Sequence, residues 1–253
     1  MKIKLDCPYD FMDKELISSL EISDNPECLI VNPGTNHFLG KGYFAKYKNL
    51  RIVGTPSTGV NHIDKEYLDS NNIKLCSLLD DREFLDSIHA SAEFTWLHIM
   101  NVARKFTLAT KSISTWRSKT NEDYLRSNEL YGKKLGIIGF GRIGKKLNRY
   151  AKAFGLKVKF YDPYVEGGVS IEELKDSDIV SINCYLNDET KGMITDGFFD
   201  GFKDNLIVIN TSRGEVVNEQ YIANLVKEDK IIYSCDVLSN EQDITKLSKS
   251  PLY

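Results

Sequence analysis

The sequence contains no Cys-x-x-Cys pair, and its cysteines follow no metal-ligand spacing; they are Cys7, Cys28, Cys76, Cys184 and Cys235. Isolated cysteines of this kind are typical of reduced thiols in a cytoplasmic protein. No apolar run approaches the roughly 18 residues that a membrane helix needs. The N-terminal segment MKIKLDCPYD also lacks the long apolar core of a signal peptide. We therefore expect no metal, no membrane partner and a cytoplasmic location.

The chain also lacks an excess of basic residues. Lysine and arginine number 33 against 36 aspartates and glutamates, so the net charge is −3, and no basic cluster with interleaved aromatics occurs. Because nucleic acids are bound through such clusters, we expect no nucleic-acid partner. Hydrophobic residues make up 42% and charged residues 27%, an ordinary globular balance, and 253 residues suffice for one large domain or two modest ones.

The stretch from Leu135 to Pro163 has the order of a dinucleotide-binding unit. It begins with an apolar run at 135–138, which is typical of a buried parallel strand. Three glycines follow, then an amphipathic helical pattern, and then a second strand at 158–161 that ends in Asp162. A lone G-x-G-x-x-G is a weak signal, but here the strand, the helix and the acid that the motif requires are all present.

Each residue of this motif has a physical role. Gly139 permits the tight turn out of the strand, Gly141 lets the backbone approach a pyrophosphate, and Gly144 lets the helix pack closely on the strand. The free amides at the helix start, with the positive end of its dipole, hold the phosphate charge. Asp162 would accept hydrogen bonds from the adenosine ribose and repel a 2′-phosphate, so the site should prefer NAD to NADP.

Apolar runs and helical patterns alternate along the rest of the chain, which predicts an α/β protein. Further strands are predicted at residues 2–6 (as an exposed edge), 28–32, 50–54, 73–78, 179–183, 206–210 and 231–236. Helices are predicted at 13–20, 64–70, 171–175, 196–202 and 219–227, with one long helix at 81–106 and an irregular polar stretch at 107–133. Together with the glycine unit, the second half holds five parallel strands, a Rossmann-type doubly wound pattern.

Several stretches together resemble the D-isomer-specific 2-hydroxyacid dehydrogenase family, which includes phosphoglycerate dehydrogenases and glyoxylate or hydroxypyruvate reductases. They follow the family's order and spacing, and they are residues 57–64 (STGVNHID), 92–93 (AE), 129–163, 210–214 (NTSRG) and 236–241 (DVLSNE). The resemblance implies a smaller flavodoxin-like α/β substrate domain, residues 1–97, and an NAD-binding Rossmann domain, residues 98–253, with the active site in the cleft between them. It also implies NAD as cofactor, a 2-hydroxy or 2-keto acid as substrate, and a homodimer to which we expect residues 104–132 to contribute.

Two of the matching residues carry catalytic roles in this reading. Hydride transfer between a 2-hydroxy acid and nicotinamide needs a cation for the substrate carboxylate and carbonyl oxygen, and an acid/base for the hydroxyl proton. Arg213 suits the first task, because a guanidinium binds a carboxylate with two parallel hydrogen bonds and keeps its charge. Glu241 matches the family's catalytic glutamate, which raises the pKa of a catalytic histidine.

The resemblance assigns the remaining site residues by position. Asp236 looks like the acid that bonds the nicotinamide carboxamide, and Thr58 would lie near the nicotinamide. The segment of Ser57, Thr58 and Gly59 would present backbone amides to the substrate carboxylate. Further cofactor contacts fall on Arg142, Ile143, Cys184, Thr211 and Ser212. We expect Cys184 to line the cofactor groove and not to act as a nucleophile, since no paired histidine is apparent.

The chain departs from the family's pattern in one respect. The family's catalytic histidine follows a proline roughly twenty or more residues beyond the glutamate, but no Pro-His pair occurs here; the histidines are His37, His62, His89 and His98. We therefore expect a chain that is truncated after Glu241 and lacks the last strand and the return helix. Two hypotheses stay open: an incomplete copy of an NAD-dependent 2-hydroxyacid dehydrogenase, or a catalytically impaired NAD-binding protein that serves as a sensor or interaction module.

Overall fold

A computed structural model describes residues 1–7, 14–31, 38–112, 119–241 and 243–252. His37, the predicted helix start at residue 13 and the predicted strand end at residue 32 lie outside these ranges. The chain forms two compact units, Met1–Ile88 and His89–Glu241, and the chain from Thr245 onward joins the second. The division falls between Ile88 and His89, earlier than the boundary predicted after residue 97, because the helix that starts at residue 90 packs within the second unit.

The first unit is a five-stranded parallel sheet. Its strands are β1 (Lys2–Asp6), β2 (Glu21–Ile22), β3 (Cys28–Val31), β4 (Ile52–Thr55) and β5 (Lys74–Ser77), in the order β2-β1-β3-β4-β5. The prediction that β1 lies at the edge is wrong, because the two-residue strand β2 pairs with Lys2 and Ile3 on the side away from β3. A two-residue strand carries too little apolar pattern to be found from the sequence.

Three short helices accompany this sheet: α1 (Lys14–Ser19), α2 (Lys41–Phe44) and α3 (Lys65–Ser70). The predicted start of α3 is confirmed, since the Asp64 carboxylate accepts a hydrogen bond from the Tyr67 amide at 2.9 Å and so caps the helix. Phe44 and Leu68, from α2 and α3, are buried against Leu29 and Val53 of the sheet. The first unit therefore has its own apolar core.

Two helices replace the single helix predicted over residues 81–106. They are α4 (Arg82–Ser87) and α5 (Ala90–Arg104), and the backbone between them is extended at Ile88, where φ is −80° and ψ is 121°. The Asp81 carboxylate accepts the Phe84 amide at 2.9 Å, which gives α4 its own cap. Leu85 of α4 is buried and belongs to the first unit, whereas Ile99 of α5 is buried and belongs to the second.

Part of the stretch predicted to be irregular is helical. It contains α6 (Phe106–Lys111) and α7 (Lys119–Leu125). Lys105 adopts a left-handed conformation, with φ of 52°, and separates α5 from α6. Helix α6 buries none of its residues, so it leaves no apolar period in the sequence. This explains why the prediction missed it.

The second unit contains the predicted five-stranded parallel sheet. Its strands are β6 (Lys134–Ile138), β7 (Lys157–Tyr161), β8 (Ile179–Ile182), β9 (Leu206–Asn210) and β10 (Ile231–Cys235), in the order β10-β9-β8-β6-β7. The pairing register aligns the carboxyl ends, because Ile138 is opposite both Tyr161 and Ile182, and Asn210 is opposite both Ile182 and Cys235. Residues that follow the five strands therefore collect along one edge of the sheet.

Apolar cores cover both faces of this sheet. On one face Ile99 of α5 and Leu147 of α8 (Arg142–Ala153) pack with Ile137 and Ile209. On the other face Ile222 of α9 (Glu219–Lys227) packs with Val208 and Ile182. This arrangement confirms the doubly wound α/β fold, and α9 has the predicted bounds.

Two other predicted helices of this unit are shorter than expected. Residues 171–175 contain a single 3₁₀ turn at Glu172–Leu174, and residues 196–202 form turns. A last short helix, α10, spans Ile244–Leu247. Among the described residues, no helix combines the length and apolar character that crossing a membrane requires.

Candidate active site

Two of the motif glycines are required by the fold itself. Gly139 has φ of +90°, and a Cβ atom there would lie 2.7 Å from the Cys184 nitrogen. At Gly144 a Cβ would lie 2.4 Å from the Gly139 carbonyl oxygen. Both distances are far below ordinary contact, so the turn after β6 and the close approach of α8 tolerate no side chain at either position. The predicted roles of these two glycines agree with this geometry.

Gly141 differs, because the fold has room for a side chain there. A Cβ atom at this position would meet nothing within 4 Å, and the backbone has φ of −74° and ψ of −157°, which any residue can adopt. Gly141 precedes α8, whose first residues Arg142 and Ile143 are partly buried. Open space over the amides of a helix start is the shape that a pyrophosphate needs, and a side chain at Gly141 would project into it.

The Asp162 carboxylate lies at the end of β7 and bonds to the glycine turn. One oxygen accepts the Phe140 amide at 2.7 Å and the other accepts the Tyr164 amide at 3.0 Å. A carboxylate can accept about four hydrogen bonds, so these two amides leave capacity for two ribose hydroxyls. Asp162 therefore fixes the glycine turn and is suited to the predicted ribose contact. The bond to Phe140 was not foreseen from the sequence.

Cys184 follows β8 and lies directly against the glycine turn. Burial raises the pKa of its thiol to about 11, so the group is a neutral thiol at physiological pH. A neutral thiol is a poor nucleophile, and the lining role of Cys184 stays a prediction.

The backbone of Arg213 is held by a buried asparagine, Asn210, for which the sequence predicted no role. Asn210, fully buried at the end of β9, donates from Nδ2 to the Arg213 carbonyl at 3.1 Å. Its Oδ1 accepts the Ser212 amide at 3.1 Å and the Ser212 hydroxyl at 2.8 Å. A buried carboxamide with these three bonds fixes the backbone that carries the guanidinium.

The two residues before Arg213 make further contacts. The Thr211 hydroxyl is 2.6 Å from the hydroxyl of Thr95 on α5, which ties the loop to that helix. The partly buried Arg213 guanidinium donates from Nη1 to the Ser212 carbonyl at 2.7 Å. A guanidinium has five N–H donors, and this contact uses one of them.

Asp236 and Glu241 lie in the same region as Arg213. Burial raises the pKa of the Asp236 carboxyl, while the charges of His98 and Arg213 oppose the rise. Burial also raises the pKa of the Glu241 carboxyl, and the nearby negative charge of Glu215 raises it further. The hydrogen bond from the Leu238 amide lowers this pKa and so opposes the rise. Glu241 Oε1 accepts that amide at 2.7 Å, which fixes one oxygen and leaves the other for a further donor. The structure thus gathers Arg213, Asp236 and Glu241 within the second unit.

The residues predicted to bind the substrate carboxylate lie in the first unit, after β4. The Ser57 hydroxyl donates to the Gly59 carbonyl at 2.7 Å and lies 3.0 Å from the Thr55 hydroxyl. The Leu78 amide donates to the Ser57 carbonyl at 3.1 Å. Thr58 is partly buried and Gly59 is buried. These bonds fix the loop, and its role stays a prediction.

Within the described residues, no group of three or more histidine, cysteine, aspartate or glutamate side chains could hold a metal ion.

The part of the chain that contains the glycine turn and Arg213 matches a known protein family. A model of the D-isomer-specific 2-hydroxyacid dehydrogenase NAD binding domain matches residues 96–253. The chain belongs to this family. The resemblance inferred from the sequence motifs is confirmed, and the glycine turn, Asp162 and Arg213 all fall within the matched NAD binding domain.

Curated relatives extend the match to the rest of the chain. The D-3-phosphoglycerate dehydrogenase of Methanocaldococcus jannaschii is 30% identical over 229 residues, which cover 86% of this chain and 41% of that protein. A dehydrogenase of Hormonema carpetanum is 32% identical over 246 residues, which cover 90% of this chain and 59% of that protein. The chain thus spans less than two thirds of the length of either relative.

A solved structure shares the fold. The D-lactate dehydrogenase of Aquifex aeolicus, solved with NAD and lactic acid, aligns with 98% of this chain and 80% of its own. The TM-score is 0.78 and the sequence identity is 24%. At this identity the likeness shows a common fold, and the assignment to the family rests on the NAD binding domain.

Proposed function

We propose that this member of the family is, or is part of, an NAD-dependent oxidoreductase that transfers a hydride between nicotinamide and a 2-hydroxy or 2-keto acid. The observation that carries the proposal is the guanidinium of Arg213, which donates to the Ser212 carbonyl and shares one region with two carboxylates, Asp236 and Glu241. Binding of a cofactor alone does not require a cation that suits a substrate carboxylate. The names of the relatives, a phosphoglycerate dehydrogenase and a lactate dehydrogenase, are consistent with a 2-hydroxy acid.

Each residue of the proposed site has a distinct task. The amides at the start of α8, beneath the open space at Gly141, would hold the pyrophosphate of NAD, and Asp162 would accept the ribose hydroxyls. Arg142, Ile143, Cys184, Thr211 and Ser212 would complete the cofactor contacts. When bound, NAD supplies or accepts the hydride.

The carboxylates would handle orientation and the proton. Asp236 would accept a hydrogen bond from the nicotinamide carboxamide. Glu241, with one oxygen fixed by the Leu238 amide, would present the other to a proton-carrying group. Ser57, Thr58 and Gly59 are proposed for the substrate carboxylate on the family resemblance alone.

The test is a paired measurement on the wild-type chain and on Arg213→Ala. NADH binding is followed by fluorescence, and NADH oxidation is followed with glyoxylate, pyruvate and hydroxypyruvate. We expect Arg213→Ala to lose turnover by at least a hundredfold while NADH binding changes by less than about threefold. Arg82→Ala, which removes an exposed arginine at the start of α4, is the matched control.

Two results would redirect the assignment. If NADH binding collapsed in Arg213→Ala, the arginine would support the cofactor site or the fold. If the wild-type chain bound NADH but oxidised it with none of the keto acids, the alternative of an NAD-binding sensor or interaction module would be favoured.

We also propose a homodimer. Large apolar side chains are exposed on α5, α6 and α7; they are Phe94, Leu97, Phe106, Leu108 and Tyr124, and three of them lie within the predicted contact region 104–132. An apolar surface of this kind on a folded domain favours association. Sedimentation equilibrium should give twice the chain mass for wild type and for the control Leu79→Glu, and the monomer mass for Phe106→Glu. A monomeric wild-type chain would refute the proposal.

A cytoplasmic location is proposed as well, on the five cysteines, which are all free thiols in the structure.

A further inference from the structure

Asp236 and Glu241 lie on one segment, and backbone amides of this segment donate hydrogen bonds to glutamate side chains. Residues 236–241, which follow β10, form turns without regular secondary structure. Three consecutive backbone amides of this segment, at residues 238, 239 and 240, donate to three different glutamates. The acceptors are Glu241 at 2.7 Å, Glu219 at 2.5 Å and Glu215 at 3.3 Å.

Glu219 makes the shorter of the two contacts that come from outside the segment. It is partly buried at the first position of α9, and its Oε1 accepts the Ser239 amide. Its second oxygen, Oε2, accepts the Ser250 hydroxyl at 2.6 Å. Both carboxylate oxygens are therefore engaged, and the one side chain joins two later parts of the chain to the start of α9. Hydrogen bonds to a charged acceptor are stronger than neutral ones.

The backbone beside Arg213 is in direct contact with the same segment. A Cβ atom at Gly214 would lie 2.1 Å from the Leu238 carbonyl carbon and 2.2 Å from the Ser239 nitrogen. The two backbones are thus as close as a glycine allows. A shift of residues 238–239 would change the separation between Arg213 and the neighbouring carboxylates.

We propose that Glu219 is a positioning residue for the substrate and nicotinamide end of the site. By holding Ser239, it sets where Asp236 and Glu241 stand relative to Arg213. Glu219 touches neither cofactor nor substrate in this proposal and acts through the 236–241 segment. The inference rests on the proposed function, because it presupposes that Asp236 contacts the nicotinamide.

The test compares two ligands that share the adenosine and pyrophosphate but differ at the nicotinamide. NADH and ADP-ribose both use the glycine turn and Asp162, whereas only NADH reaches Asp236. In the full chain, Glu219→Ala should weaken NADH binding on the order of tenfold, the loss of a charge-assisted hydrogen bond, and leave ADP-ribose binding within about twofold. A purely structural role would weaken both ligands together.

Three further variants complete the design. Glu219→Gln keeps an acceptor for Ser239 and should restore NADH binding to within about threefold of wild type. Glu66→Ala removes an exposed glutamate at the start of α3 and should change neither ligand. If Glu219→Ala does not fold, Glu219→Asp keeps the charge at the start of α9 but is one methylene shorter, and should show the same loss for NADH alone.

The outcomes separate this inference from the proposed function. Equal weakening of NADH and ADP-ribose, or no change in either, would overturn the positioning role while the dehydrogenase assignment stands. A wild-type chain that binds neither ligand would overturn both. A selective loss for NADH that Glu219→Gln reverses would support the positioning role.

Discussion

Alanine substitutions at Gly139 and Gly141 should differ in their consequences for stability. At Gly139 an alanine must adopt φ of +90° and place its Cβ 2.7 Å from the Cys184 nitrogen. The left-handed conformation costs roughly 1–2 kcal/mol, and overpacking against backbone costs roughly 1–3 kcal/mol. We therefore expect Gly139→Ala to lower the free energy of unfolding of the second unit by about 2–5 kcal/mol.

At Gly141 the same substitution should leave stability intact. The backbone there is extended, and the new methyl group meets nothing within 4 Å. Replacing glycine by alanine in a permitted conformation stabilises a protein by about 0.4–1 kcal/mol, because the unfolded chain loses freedom, and the preference for glycine over alanine at the N-cap of α8 offsets this gain in part. The methyl group would nevertheless occupy the space proposed for the pyrophosphate, so we expect NADH affinity to fall at least tenfold.

Thermal melting and NADH fluorescence titration test the pair. For a unit of this size, 1 kcal/mol shifts Tm by roughly 2–4 °C, so Gly139→Ala should melt about 4–20 °C lower. Gly141→Ala should melt at or slightly above the wild-type temperature. If Gly141→Ala bound NADH like wild type, the proposal that the pyrophosphate lies at Gly141 would be refuted. If the variant were strongly destabilised, the conclusion that the fold has room for a side chain at Gly141 would be refuted.

Three further outcomes follow from the site. Asp162→Ala should weaken NADH and reduce discrimination against NADPH, measured by fluorescence titration with both cofactors; unchanged NADH affinity would eliminate the ribose contact. Cys184 should resist iodoacetamide at pH 8, because its pKa is raised to about 11, and alkylation as fast as that of an exposed thiol would contradict the raised pKa. The contribution of the neutral thiol to stability is complete below the ordinary pKa near 9 and is lost as the pH rises toward 11. The raised pKa of Glu241 means that stability falls as the pH rises from its ordinary pKa of 4.5 through the raised one. In urea unfolding at pH 7, Glu241→Gln should therefore have a free energy of unfolding equal to that of wild type or higher by less than about 1 kcal/mol, and a clear loss of stability would refute the raised pKa.

The parts of the fold that could be predicted depend on local patterns. The glycine unit was recognisable because its strand, turn, helix and acid follow one another within thirty residues or so, and each has its own signature. The break at Ile88 was not, because Leu85 and Ile99 lie close to one helical period although they belong to different units. The edge strand β2 and helix α6 bury too little to leave a pattern.

The candidate site shows the same limit. The motifs predict Arg213 and Glu241 as site residues, but they do not predict the residues that hold them. Asn210 bonds within its own loop, and its role depends on being fully buried, which the sequence does not state. Glu219 bonds to Ser239 and Ser250, which are 20 and 31 residues away in the chain. Contacts of that separation exist only once the sheet has brought the loops together.

The charge around Arg213 explains why such supports are needed. Glu215 and Asp236 raise the pKa of Glu241, whereas Arg213 lowers the pKa of both Asp236 and Glu241, so the guanidinium acts on at least two carboxylates. Without these hydrogen bonds the carboxylates would repel one another, and one of them could form an ion pair with Arg213 that excludes an anionic substrate. Backbone amides at residues 238–240 instead engage Glu241, Glu219 and Glu215. Under the proposed function, hydrogen bonding of Glu215 and Glu241 to the backbone would keep the guanidinium of Arg213 available for a substrate carboxylate.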